Sequence, residues 1–174
     1  MGQYYQVIIL GEEQKNNPEI IRIFMEPWYG AKLLEHSYIN NDFVNAIEFL
    51  LSPEGIFYKS RIVWAGDYAD PEKGLNTNLY NMTYQFSSKE FKSSTVISKE
   101  YKYIINHTKK LYVNKDKYNL YHPLPLLVAE GNGRSGSDYV DKPDEDFVGM
   151  WARDIISIEK DKPEDCIELT YFQS

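Results

Sequence analysis

Cysteine is almost missing: Cys166 is the single thiol in 174 residues, so the chain can form neither an intramolecular disulfide nor a multi-cysteine metal site. That economy fits a reducing compartment, and a cytoplasmic location is the expectation. Positive charge is also short, with 19 Lys and Arg against 26 Asp and Glu and a formal net charge of −7. Binding to a phosphate backbone needs clustered cations that release counterions, so nucleic acid is an unexpected partner. The same acidity suits a basic protein partner, and a local nest of backbone N–H groups can still hold a small anion. No apolar run approaches membrane-spanning length, so no membrane association is expected. Met1 to Leu10 lacks a basic n-region and reads as a first strand rather than a signal peptide. The Asn81 and Asn106 sequons therefore carry little meaning. Of the few histidines, His107 and His122 offer no second ligand at metal spacing, which leaves a metal site without support.

Tyrosine is what the chain has in excess, with 15 Tyr beside 8 Phe and 3 Trp. A phenol can stand with its ring in an apolar pocket and its hydroxyl in water, which suits strands and recognition surfaces. Hydrophobic residues at 43% and charged ones at 26% describe a chain that folds on its own. Its length gives one globular domain over residues 1-174.

The β-forming runs Tyr4 to Leu10, Ile20 to Met25 and Arg61 to Trp64 predict strands. A hairpin is expected from Tyr101 to Asn106 and Lys110 to Val113, and late strands at Ile155 to Ile158 and Ile167 to Tyr171. Alternation of Tyr80, Met82, Tyr84 and Phe86 predicts another strand, and Leu124 to Val128, carrying Pro125, an edge or irregular one. Phe43, Ala46, Ile47 and Leu50 fall at i, i+3, i+4 and i+7 behind Asn40-Asn41-Asp42, the pattern of a capped amphipathic helix that must end at Ser52-Pro53. The expectation is an α+β single domain, mainly antiparallel sheet, with one principal helix near residues 41-52.

Two segments hold most of the polar groups that follow strand ends. Trp64-Ala-Gly-Asp-Tyr-Ala-Asp70 offers Trp64, Asp67, Tyr68 and Asp70. Glu130-Gly-Asn-Gly-Arg-Ser-Gly-Ser-Asp-Tyr139 offers Glu130, Asn132, Arg134, Asp138 and Tyr139. The three glycines of this second segment free the backbone to bring N–H groups to an anion, and Arg134 can add a bidentate contact to phosphate or carboxylate. It is neither a Walker nor a Rossmann motif, and a plain surface loop accounts for it equally well. Asp67 and Asp70, with Glu130 or Asp138, have the oxygen ligands a divalent cation needs, but their spacing also fits turn caps. His36 stands between Glu35 and Ser37, residue types of acid–base chemistry whose adjacency forms no triad, and a hydrogen-bonded structural histidine is the commoner outcome. Cys166 lies among acids that raise a thiol pKa, which argues against a nucleophile. The aromatic residues admit stacking on a base as well as core packing, with Tyr68 and Tyr139 the hardest to place in a core.

Met1-Gly-Gln-Tyr-Tyr5, Leu34-Glu-His-Ser-Tyr-Ile-Asn-Asn-Asp-Phe-Val44, Trp64-Ala-Gly-Asp-Tyr-Ala-Asp70 and Glu130-Gly-Asn-Gly-Arg134 together resemble a family of uncharacterised proteins in bacterial and phage genomes. The similarity spans nearly the whole chain, with Leu34 in place of a methionine and Ser135 and Ser137 in place of glycines. It implies a bacterial or phage cytosolic setting and, by context, counter-defence; it implies no activity and no cofactor. From the residues, the expected function is binding or sequestering a nucleotide-like or phosphorylated small ligand. The alternatives are an acidic inhibitor or adaptor of a nucleic-acid-handling enzyme, and a metal-dependent hydrolase using Asp67, Asp70 and Glu130.

Overall fold

Every position from Tyr5 to Leu10 is apolar except Gln6, and a strand sends successive side chains to opposite faces, so both faces of this segment must be covered. In the computed structural model, which describes residues 3–12, 18–25, 32–91, 97–131 and 147–170, this strand, β1 (Tyr5–Leu10), is buried along its whole length. β2 (Ile20–Met25) and β3 (Ser60–Gly66) flank it, both antiparallel, with Val7 opposite Trp64 and Tyr5 opposite Gly66. The remaining strands are β4 (Glu90–Phe91), β5 (Tyr103–Asn106), β6 (Leu111–Asn114), β7 (Ala129–Glu130), β8 (Ile155–Glu159) and β9 (Ile167–Glu168). All nine form one sheet in the order β4-β2-β1-β3-β8-β5-β6-β9, with β7 also alongside β3. The longer ladders are antiparallel, while β4 on β2, β7 on β3 and β9 on β6 are short parallel additions. The α+β, mainly antiparallel architecture expected from the sequence is the one present.

The principal helix, α2 (Asp42–Leu51), follows the short α1 (Leu33–His36) and starts where the cap predicts: the Asn41 side chain accepts the Val44 N–H at 3.1 Å. Phe43, Val44, Ile47 and Leu51 cover one face of the sheet, against Val7, Ile9, Ile62, Trp64, Ile156 and Ile158. On the opposite face Ile8, Leu10, Val63 and Ala65 meet Leu79. That leucine belongs to α3 (Leu79–Met82), capped by Asn78 and continued by a 3-10 turn over Thr83–Gln85. The strand expected at Tyr80 to Phe86 is therefore a pair of helical turns. The aromatic alternation that suggested it also places Tyr80 and Tyr84 four apart, where their rings meet edge to face at 6.3 Å. The irregular strand expected at Leu124 to Val128 is likewise helical, as α4 (Pro123–Leu127). Both prolines lie in the first turn, where N–H groups have no intrahelical acceptor and a missing donor costs nothing.

The one charged residue among the buried positions of α2 is Glu48, which is 1% exposed. Its Oε1 lies 2.7 Å from Nε2 of His122, and its Oε2 takes the Lys115 ammonium. Nδ1 of His122 accepts the Leu124 N–H at 3.1 Å and so caps α4, which assigns the ring proton to Nε2 and makes His122 the donor to Glu48. Burial pushes the Glu48 carboxyl up, but the imidazole and ammonium outweigh it and hold the pKa below the ordinary value. Glu48→Gln should cost about 3–5 kcal/mol, because it removes the charge that the buried His122 and the part-buried Lys115 face. A depressed folded pKa stabilises above the unfolded carboxylate pKa and is lost as pH falls through the folded one. The stability gap between the wild type and Glu48→Gln, read by urea unfolding across a pH series, should be full at neutrality and narrow in acid.

Candidate ligand-facing surface at the end of β3

The parallel pairing of β7 with β3 sets Trp64 beside Ala129 and Ala65 beside Glu130. The two polar segments singled out in the sequence therefore leave the sheet next to one another. The backbones come close: a Cβ on Gly66 would stand 2.8 Å from the Glu130 carbonyl oxygen, and one on Gly131 would stand 2.3 Å from Oε1 of the buried Gln3. At Gly66 the neighbour is backbone, so glycine is what allows this approach, while at Gly131 a Cβ would require the Gln3 side chain to move. Asn132, Arg134, Asp138 and Tyr139 lie outside the described residues, as does the side chain of His36, whose backbone ends α1.

Five candidates are described, and they divide. Trp64, expected on the surface, is a correction: it is fully buried, its ring edge-on to Phe43 at 6.3 Å, because the strand's alternation points it at α2. Asp67 ties the turn to the chain start, its N–H donating to the Tyr4 carbonyl and its carboxylate accepting the Tyr4 N–H at 3.0 Å. Asn78 Nδ2 donates to the carbonyls of Asp67 and Ala69 and closes the same turn. Tyr68 and Asp70 project from it, exposed.

Glu130 is held by Arg153. The guanidinium donates through Nε and Nη2 to both carboxylate oxygens of Glu130, and through Nη1 and Nη2 to both of Glu72. Burial draws the Arg153 pKa down, yet hydrogen bonds and charge from the two glutamates raise it above its ordinary value. Glu130 is committed in this way and Asp138 lies outside the described residues, so of the oxygen donors expected for a metal Asp67 and Asp70 are the described ones that Arg153 does not hold. Among the described residues no group of three or more His, Cys, Asp or Glu side chains is placed to hold a metal ion.

Tyrosines gather on the other side of Asp67. Tyr80 takes a hydrogen bond from Gln6, and its phenol is pushed up by burial against that bond and further by the nearness of Tyr84, Asp67 and Tyr4. Lys89 places its ammonium 5.0 Å from the Tyr84 ring centroid.

A second polar chain crosses β5 and β8, remote in sequence from these segments. His107 Nε2 lies 2.7 Å from Ser157 Oγ, Ser157 donates to Glu159 Oε2 at 2.6 Å, and Tyr58 donates to Glu159 Oε1 at 2.8 Å. The residue types are those of a serine hydrolase, but the order is not. The carboxylate takes the serine proton directly, so His107 must donate to Oγ rather than accept from it, and Ser157 is fully buried. Burial first, then Lys59, draws the His107 pKa down, consistent with a neutral imidazole. Burial and then Asp165 push the Cys166 thiol up, which makes it a poor nucleophile.

No family model, curated protein or solved structure matches the chain.

Arg153, Tyr4 and Tyr80 are the residues of this surface that sequence reasoning missed. The sequence does echo Trp64-Ala-Gly-Asp67 in Trp151-Ala-Arg-Asp154, but nothing in that echo gives Arg153 its left-handed backbone, φ 68°, or its two glutamate partners. A double-mutant cycle of Arg153→Ala with Glu130→Gln should return a coupling of about 0.5–3 kcal/mol by denaturant unfolding. The same cycle with the exposed Asp70→Asn should be additive.

Proposed function

We propose that this protein binds, without turnover, a nucleotide-like or phosphorylated small ligand at the end of β3. The observation that carries the reading is the β3–β7 pairing, which starts the glycine-rich segment beside the Asp67 turn. The Asp67 turn and the start of the glycine-rich stretch, Glu130-Gly131, then leave one end of one sheet side by side. In this reading Tyr68, exposed on its turn, and Tyr139 offer ring faces to a planar group. Arg134 and the N–H groups of residues 131–137 take the anion, as short glycine-rich backbone does for phosphates. Asn132 and Asp138 supply further polar contacts around the ligand and His36 a hydrogen bond, while Glu130, held by Arg153, fixes where the segment starts.

Binding is preferred over catalysis for a chemical reason: Glu48, Arg153 and Tyr58, three groups with shifted pKa values, are each committed to a partner inside the fold. Neither Glu48, Arg153 nor Tyr58 is free to move a proton for a substrate. The resemblance to bacterial and phage proteins favours a cytosolic setting and sequestration as a form of counter-defence.

Thermal-shift titration against a panel of nucleotides and dinucleotides should find at least one that raises the melting temperature. Arg134→Ala should abolish that shift and Tyr68→Ala reduce it, while product analysis finds the ligand unaltered. A panel with no response, or a response that Arg134→Ala leaves intact, would overturn the reading.

A further inference from the structure

Tyr4, Tyr68 and Tyr84 are 45%, 40% and 69% exposed; Tyr68 follows Asp67 in its turn, and Asp67, Tyr4 and Tyr84 all lie near enough to Tyr80 to push its phenol up. Tyrosine is enriched where proteins meet because it presents a wide, rigid, amphipathic face at low entropic cost. Phe86, two residues past Tyr84 in the chain, is also 42% exposed.

Two further observations concern charge. Lys89 sits over the Tyr84 ring at 5.0 Å, inside the roughly 6 Å range of a cation–π contact, and among the described residues it has no carboxylate partner. The ring face is thus a place where this fold already keeps a cation. Asp67 and Asp70 flank the patch, and the whole chain carries −7, so the approach of a positive partner is favoured from a distance.

We propose that the Tyr4–Tyr84 surface docks a basic protein partner, which places a lysine or arginine side chain on the ring of Tyr84 in the position Lys89 now holds. The patch is an open surface of exposed rings, which suits the side chains of a protein. Single-stranded nucleic acid would use the same rings, but its phosphates would meet the acidic turn and the net negative chain. Tyr68 is common to this patch and to the small-ligand reading, but the docking test reads Tyr84 and Lys89 and uses neither Arg134 nor the glycine-rich segment, so the two can fail separately.

The test is NMR titration of the full chain at low ionic strength with three probes: tetralysine, the same peptide with every side chain acetylated, and an oligothymidylate. Tetralysine should shift the Tyr84 ring resonances, and salt should weaken its binding steeply. The acetylated peptide should not bind, since it keeps the length and loses the charge. Tyr84→Ala should weaken tetralysine binding by about two- to fivefold, Tyr84→Phe should keep it, and Lys89→Ala should tighten it by a similar factor by freeing the ring. Because Tyr84 is exposed, unchanged melting of the variants can be checked alongside. Equal binding of the acetylated peptide, no effect of Tyr84→Ala, absence of any peptide shift, or ring shifts with oligothymidylate alone would each overturn the proposal.

Discussion

One edge of β3 has to serve two neighbours, and much of the molecule is arranged around that division. β8 takes the edge at Ser60 and Arg61, and β7 takes it at Trp64 and Ala65. Between them the backbone of Ile62 would be left without partners, and a buried strand cannot leave its N–H and carbonyl groups unpaired. The turn before β8 fills the gap: Ile62 donates to the Asp154 carbonyl and accepts the Arg153 N–H at 2.9 Å. To make that reach Arg153 adopts a left-handed backbone, which a non-glycine residue accepts only when surrounding contacts enforce it. Its guanidinium then secures Glu130 on one side and Glu72 on the other, while Arg61 donates to its carbonyl from below. A backbone requirement inside the sheet thus becomes the clamp that holds two surface loops together.

How far this was legible in the sequence follows from the range of the interactions involved. α2 could be read because its period, its Asn41 cap and its Ser52-Pro53 stop are all local. The strands β1, β2, β3, β5, β6 and β8 could be read from short apolar runs. The segments at Tyr80 and Leu124 were misread because two-residue alternation and proline both have helical explanations, which only the caps from Asn78 and His122 decide. The meeting of Ala65 with Glu130 is a parallel pairing of two residues across a long stretch of chain, and no periodicity announces it. Trp64 was misassigned for a related reason: its neighbours look like a loop, but β3 runs on to Gly66 and keeps the indole pointed at α2.

Ionisable residues divide in the same way. Glu48, His122 and Lys115 come from three separate elements, and each is intelligible only in the presence of the other two. His122 in particular does two jobs with two nitrogens, capping α4 with one and donating to Glu48 with the other. A histidine so occupied has no lone pair left for a metal. His107 is bound by Ser157 in the same economical manner, so two of the three histidines are accounted for by the fold itself.

The tyrosines do not share that fate, and here the physics separates them. Tyr5, Tyr101, Tyr112 and Tyr118 are buried and serve packing, as a ring with mostly apolar surface should. Tyr4, Tyr68 and Tyr84 leave much of their rings in water, where they bury little apolar area and return little stability to the fold. Yet their backbone is not loose: Tyr4 is fixed by Asp67, the Tyr68 turn by Asn78, and Tyr84 by the helical turns that Asn78 begins. A poorly covered ring on a fixed backbone loses less entropy when something else covers it than one on a loose chain. That combination returns little to folding, and it is the physical ground on which binding at these rings is proposed.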